Sequence, residues 1–107
     1  MIGKMRHRIQ LQQQTEQRDA IGGAVLEWIT YGSCWAAIEP LSGREMLAAQ
    51  HENSTITTRI RIRYRDDVWA QHRVKFGSTV YNIQTVIDRD TRRQSLELMC
   101  DTGANDG

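Results

Sequence analysis

Ten consecutive residues, Ile56–Arg65, alternate between two chemistries. Ile56, Thr58, Ile60, Ile62 and Tyr64 fall on one face, and Thr57, Arg59, Arg61, Arg63 and Arg65 on the other. A period of two over this length, rich in β-branched residues, specifies a half-buried β-strand and excludes an amphipathic helix. Weaker signals of the same kind surround it. Arg8–Gln14 places Ile9 and Leu11 on one side and predicts a short first strand, followed by a polar hairpin loop over Thr15–Gly23. A second strand is expected over Ala24–Thr30, resuming at Cys34–Glu39 with Gly32 as a bend, since glycine inside a strand pattern marks a bulge or barrel corner. Val74–Phe76, Gly77-Ser78 and Val80–Ile87 read as a hairpin with a two-residue type II′ or I′ turn, and Ser95–Cys100 as the last strand.

One segment breaks the β pattern. Pro40-Leu41-Ser42-Gly43-Arg44-Glu45 leads into Met46–Glu52, a run of good helix formers that ends at Asn53. Ser42 and Glu45 have capping-box spacing, in which the hydroxyl accepts the Glu amide and the carboxylate reaches back to the Ser amide. The fold class that follows is mainly β: a small antiparallel barrel of about six strands, with one short α-helix between the second and third. Closure limits the unpaired edges that such a sheet would otherwise expose.

Composition sets the frame. The 107 residues suit one domain spanning 1–107, with 101–107 expected as a flexible tail. A chain this long buries roughly two-thirds of its unfolded surface, enough for a core without staples. Hydrophobic residues are 39% and charged residues 25%, which excludes a disordered tail. No apolar run approaches the ~20 residues that span a bilayer, and Met1–Gln10 lacks a signal-type apolar segment, so no membrane partner is expected. A net charge of +1 argues against bulk nucleic-acid affinity. Within that balance, 12 of the 14 basic residues are arginine, Lys4 and Lys75 being the two lysines.

The residues that usually carry chemistry are scattered. Cys34 and Cys100 read as free buried thiols, with a bridge as the lesser alternative. His7, His51 and His72 have no second ligand at the short offsets zinc sites use. Asp88 and Asp90 fit turn chemistry better than a cation site, and Gly22-Gly23 fits a turn. There is neither a Gly-x-Ser-x-Gly elbow nor a phosphate-binding glycine loop. No catalytic residue, metal or cofactor is expected, and no enzyme.

Alternate strand residues lie ~6.6–6.8 Å apart, so Arg59, Arg61, Arg63 and Arg65 form a row of guanidinium groups. Three readings are open. The row is a solvated face paired to acids such as Glu27, Glu39 and Glu97, or a subunit interface, where arginine holds planar bidentate geometry better than lysine. The third is a phosphate track, to which the lack of interleaved aromatics is unfavourable. Trp28, Trp35 and Trp69 suit core or interface anchors.

Several stretches together resemble the tailed-phage head–tail adaptor, or head closure, family. They are Lys4–Ile9, Gly22-Gly23 with Glu27-Trp28, and Trp35–Glu45, then Ala48–Gln50, Thr58–Arg65, Val80–Ile83 and Leu96–Leu98. The Trp35–Glu45 stretch followed by the arginine ladder carries most of the specificity. Asp66–His72, with Trp69 in place of a Pro- or Gly-containing turn, and Asp101–Gly107 depart from the pattern. The resemblance implies a barrel assembled as a ring, typically dodecameric, at the head–tail connector of a virion built in the host bacterial cytoplasm. It implies a portal-side adaptor and a tail-side protein as partners, with genomic DNA only a transient occupant of the channel. Pro40, Leu41, Ser42, Gly43 and Arg44 would then be the lumen or plug segment, although plain helix capping explains the same residues. Arg59, Arg61, Arg63, Arg65 and Trp69 would be the subunit or partner interface. The alternative is an OB- or Sm-like barrel that binds single-stranded nucleic acid.

Overall fold

The computed structural model describes residues 5–48, 56–88 and 94–102. Six strands, β1 (His7–Arg18), β2 (Ala24–Pro40), β3 (Thr58–Arg63), β4 (Arg73–Phe76), β5 (Thr79–Ile87) and β6 (Ser95–Asp101), close into an antiparallel barrel in the order β1-β2-β3-β6-β5-β4. β4 returns to β1 through the pairs Gln10/Lys75, Leu11/Val74 and Gln12/Arg73, which completes the closure. Among the described residues one helix, α1 (Gly43–Ala48), lies between β2 and β3. The expected fold class is therefore the observed one.

The apolar face of the alternating run points inward. Ile60 and Ile62 are fully buried beside Ile9, Leu11, Leu98 and Val74. A second, smaller cluster of Leu41, Ile56 and Met99, with Met46 of α1 against it, lies outside the main core and ties the helix to β6. Cys34 and Cys100 are free thiols, and burial raises the pKa of both. Gly77 has φ +61° and Ser78 does not share the positive region, so the β4–β5 turn is of the II′ kind.

Several strand boundaries differ from expectation, and β3 itself, Thr58–Arg63, is shorter than the alternating run Ile56–Arg65. β1 continues to Arg18 instead of giving way to a loop at Thr15, because Gln12–Arg18 pair residue for residue with Thr30–Ala24. From Gln13 onward both faces of this ribbon meet solvent, so no apolar alternation marked it in the sequence. β2 is continuous through Gly32, the break being a bulge at Tyr31, opposite the Leu11/Gln12 step. A Cβ at Gly32 would sit 2.7 Å from the Arg65 guanidinium, so glycine here admits a side chain as well as a bend. At the other end, Asp101 belongs to β6 and is buried, so the expected tail begins later; residues 103–107 lie outside the described residues. So do residues 49–55, which include His51, most of the expected helix Met46–Glu52 and its end at Asn53, and residues 89–93, which include Asp90.

The long ribbon shapes the molecule. Its principal extents are 52 × 27 × 26 Å, and the seven residue pairs beyond the bulge, at ~3.4 Å each, account for the excess length. The radius of gyration of 14.7 Å correspondingly exceeds the ~13 Å of a compact domain this size.

Candidate assembly interface

The arginine row stands on the outer face of β3, and its members have different surroundings. Register places Arg59 opposite Glu39 on β2, and Arg61 opposite Glu97 on β6. Arg59 donates to Glu45 Oε2 at 2.7 Å and lies 3.6 Å from Glu39 and 3.8 Å from Glu97. Arg61 lies 3.3 Å from Glu39 and 3.7 Å from Glu97. Glu97 is only 4% exposed, so two guanidinium groups neutralise a buried carboxylate. Of the acids proposed from sequence, Glu39 and Glu97 are partners and Glu27 is not: it lies on the ribbon, opposite Thr15. Glu45, which sequence reasoning assigned only to a helix cap, is the nearest partner of Arg59.

That cap is also present. Ser42 N–H donates to Glu45 Oε1 at 3.0 Å, and Glu45 N–H donates to Ser42 Oγ at 3.2 Å. The Ser42 amide first, and then Arg59, hold the Glu45 carboxyl well below its ordinary range, at about 2. Leu41 is buried and its amide donates to Thr57 O, whereas Ser42, Gly43 and Arg44 face solvent. The Pro40–Arg44 stretch is thus anchored at one residue and open at the next three.

The C-terminal half of the row behaves otherwise. Arg65 turns back in a bidentate pair with Asp67, both bonds 2.9 Å, which lowers the Asp67 pKa. Arg63 is exposed and pairs with no described carboxylate. One step beyond Ala36/Ile62, the β2–β3 register sets it opposite Trp35, which is 53% exposed. On the other side of Trp35 lies Arg8, its guanidinium 5.5 Å from the ring centroid. Lys75, beside Gln10, adds a further cation on this side of the barrel, where Arg8, Gln10, Ser33, Lys75 and Gly77 line an open groove of about 480 Å³.

Trp69 is 63% exposed in the loop between β3 and β4. Its amide donates to His72 Nδ1 at 3.3 Å, and the same nitrogen lies 2.8 Å from the Tyr31 hydroxyl. An acceptor Nδ1 fixes the neutral ring, in keeping with a His72 pKa lowered by burial. Trp28 covers Arg73, whose guanidinium stands 4.2 Å from its ring centroid and donates to Gln12 Oε1. Apart from Trp69 and His72, no local signal could have joined these partners, which are tens of residues apart in the chain. Among the described residues no three His, Cys, Asp or Glu side chains gather as a metal site. No described helix is long and apolar enough to cross a membrane.

The core is complete without Ile21, Leu26, Trp35, Leu47 or Trp69, all more than half exposed. A small closed barrel with surplus aromatic and apolar side chains outside has the anatomy of an assembly subunit. Comparison with known proteins makes the class specific. The model of the family described as phage head completion protein matches residues 1–103, and the chain belongs to that family. It is 29% identical over 107 residues to head completion protein gp7 of Enterobacteria phage HK97, across 95% of this chain and 96% of that protein. The solution structure of protein SF1141 from Shigella flexneri 2a superposes with a TM-score of 0.81 at 32% identity, across 97% of each chain. A chain of the virion of the native gene transfer agent particle shares the fold, with a TM-score of 0.66 at 21% identity over 94% of this chain and 96% of that one.

Proposed function

We propose that this chain is a non-enzymatic subunit of a closed ring, typically twelve-fold, at the head–tail connector. The ring seals the DNA-filled capsid and offers a docking platform to the tail. Its neighbours are copies of itself, a portal-side adaptor and a tail-side protein, and it assembles in the host cytoplasm before entering the virion. The observation that carries this reading is the exposed apolar and aromatic surface on a barrel of the head completion family. Exposed apolar patches of this kind mark surfaces that partner proteins cover.

Within the arginine row the interface role falls to Arg63, with Trp69 as an anchor, because Arg59, Arg61 and Arg65 are engaged in their own subunit. Pro40–Arg44 is the lumen-proximal candidate: Leu41 fixes its base, and Ser42, Gly43 and Arg44 are open to the channel or a partner. The test is particle assembly without this chain. Capsids should package DNA and then lose it, the added protein should restore retention, and it should saturate at ring stoichiometry. Particles that hold DNA and join tails without the chain would refute the role.

A further inference from the structure

The two-stranded ribbon beyond the bulge is anchored at its base, where Gln12 pairs with Arg73 and Trp28 lies over Arg73. Beyond that step no third strand pairs with it among the described residues, although isolated hairpins are marginal in water. Direct cross-strand pairs share a face, so one face carries Gln13/Ile29, Thr15/Glu27 and Gln17/Val25. Val25 and Ile29 are 47% and 39% exposed, and Glu27 stands between them. This face contains no cation. The outer face of the barrel holds the complement: Arg8 and Arg63 on either side of the exposed Trp35, with no described carboxylate paired to either arginine.

One subunit cannot bring these two surfaces together. Arg8 occupies the even-numbered face of β1, whereas Thr15, opposite Glu27, occupies the odd-numbered face. The seven residue steps from Arg8 to Thr15 add a separation of roughly 24 Å along the strand. Two different patches that fit each other but cannot meet within one chain make a heterologous contact, the kind that closes by rotation into rings.

We propose that the Val25–Glu27–Ile29 face of the ribbon of one copy seats on the Arg8–Trp35–Arg63 face of the next copy. Glu27 pairs with the arginines, and the two apolar side chains cover the Trp35 indole. This rests on the ring reading above and specifies which surfaces build it. The charge pattern favours a second copy over nucleic acid, since a phosphate chain would leave Val25 and Ile29 uncovered.

The experiment uses full-length protein in assembled particles. Chain carrying p-benzoylphenylalanine in place of Ile29 is irradiated, and the adduct is mapped. The expected adduct joins two copies, at a peptide containing Arg8, Trp35 or Arg63. Glu27→Arg and Arg63→Glu, each folded by circular dichroism, should separately lower incorporation at least tenfold. Mixing them should restore it, since alternating copies pair both kinds of contact. If the native chain enters particles but the variants do so equally well, or the adduct maps elsewhere, this contact is wrong and the ring stands. If a general amine- or carboxyl-reactive cross-linker joins no two native copies in particles, the ring reading fails and takes the contact with it. Adducts to DNA from a benzophenone in place of Trp35, lost with Arg63→Glu, would assign the patch to nucleic acid and overturn the proposal.

Discussion

Arg61 stands directly opposite Glu97 across the β3–β6 ladder, and Glu97, though ionisable, is almost entirely buried. Its two oxygens are neutralised from one side by Arg61 and from the other by Arg59. Part of what looks in sequence like a binding surface is therefore an internal network. Removing one partner of a buried pair leaves the other uncompensated, at a cost of several kcal/mol in full burial. The arginines here are partly exposed, so screening reduces that figure. Glu97→Gln should destabilise the monomer by about 2–3 kcal/mol, a drop in Tm on the order of 10 °C. Thermal unfolding checks this, and a Tm within 2 °C of the native value, taken as roughly the noise of such a change, would remove the network from the fold's energetics.

The row should divide functionally at Arg61. Arg61→Glu sets a carboxylate opposite buried Glu97 and beside Glu39 and should destabilise or unfold the monomer. Arg63→Glu is exposed and should cost under ~0.5 kcal/mol while weakening assembly. Denaturant titration of the two single variants, beside a particle incorporation assay, separates them. Equal stability for both would return the whole row to the surface.

The Ser42–Glu45 box predicts a local effect. Ser42→Ala should cost about 1 kcal/mol through loss of the cap. It should also loosen Glu45, and with it the 2.7 Å bond to Arg59. Hydrogen exchange at the amides of Glu45 and Met46 should speed up, with the barrel amides unchanged.

His72 predicts a pH dependence. Burial lowers its pKa from the ordinary 6.5, with Asp67 partly opposing the shift. As the pH falls, the unfolded chain takes up the proton first, so stability is complete above about pH 6.5 and declines below it. Protonation also removes the acceptor used by the Trp69 amide and the Tyr31 hydroxyl. Asp67 and Glu45, whose pKa values are lowered, contribute their loss only at more acid pH, below the ordinary carboxylate range. Tm should therefore fall between pH 7 and 5.5 in the native chain and stay flatter in His72→Gln. Identical slopes for the two would exclude His72 as the titrating group.

The ribbon should be dispensable for folding. Replacing Thr15–Glu27 by Asn-Gly keeps the Gln14/Trp28 pair and leaves Trp28 over Arg73. The barrel should retain its stability to within ~1 kcal/mol, as unfolding monitored at Trp28 would show, while incorporation into particles is lost.

Ile56–Arg65 alternates because one side of β3 meets the core and the other does not, so its period alone determined a strand and its inward residues. The Ser42–Glu45 cap and the glycine-led turn at Gly77 were equally legible, since each depends on residues within one turn of chain. Closure into a barrel followed from the number of half-buried strands. The ribbon was not legible: with water on both faces, Gln13–Arg18 has no reason to alternate, and beyond its base at Gln12 and Trp28 the pairing with β2 carries it. Nor could sequence say which arginines are engaged, because Glu39, Glu45 and Glu97 reach Arg59 from three different elements. Local periodicity is fixed by which side of the chain meets water. Partnership across the barrel is fixed by register and closure, and that only the tertiary structure decided.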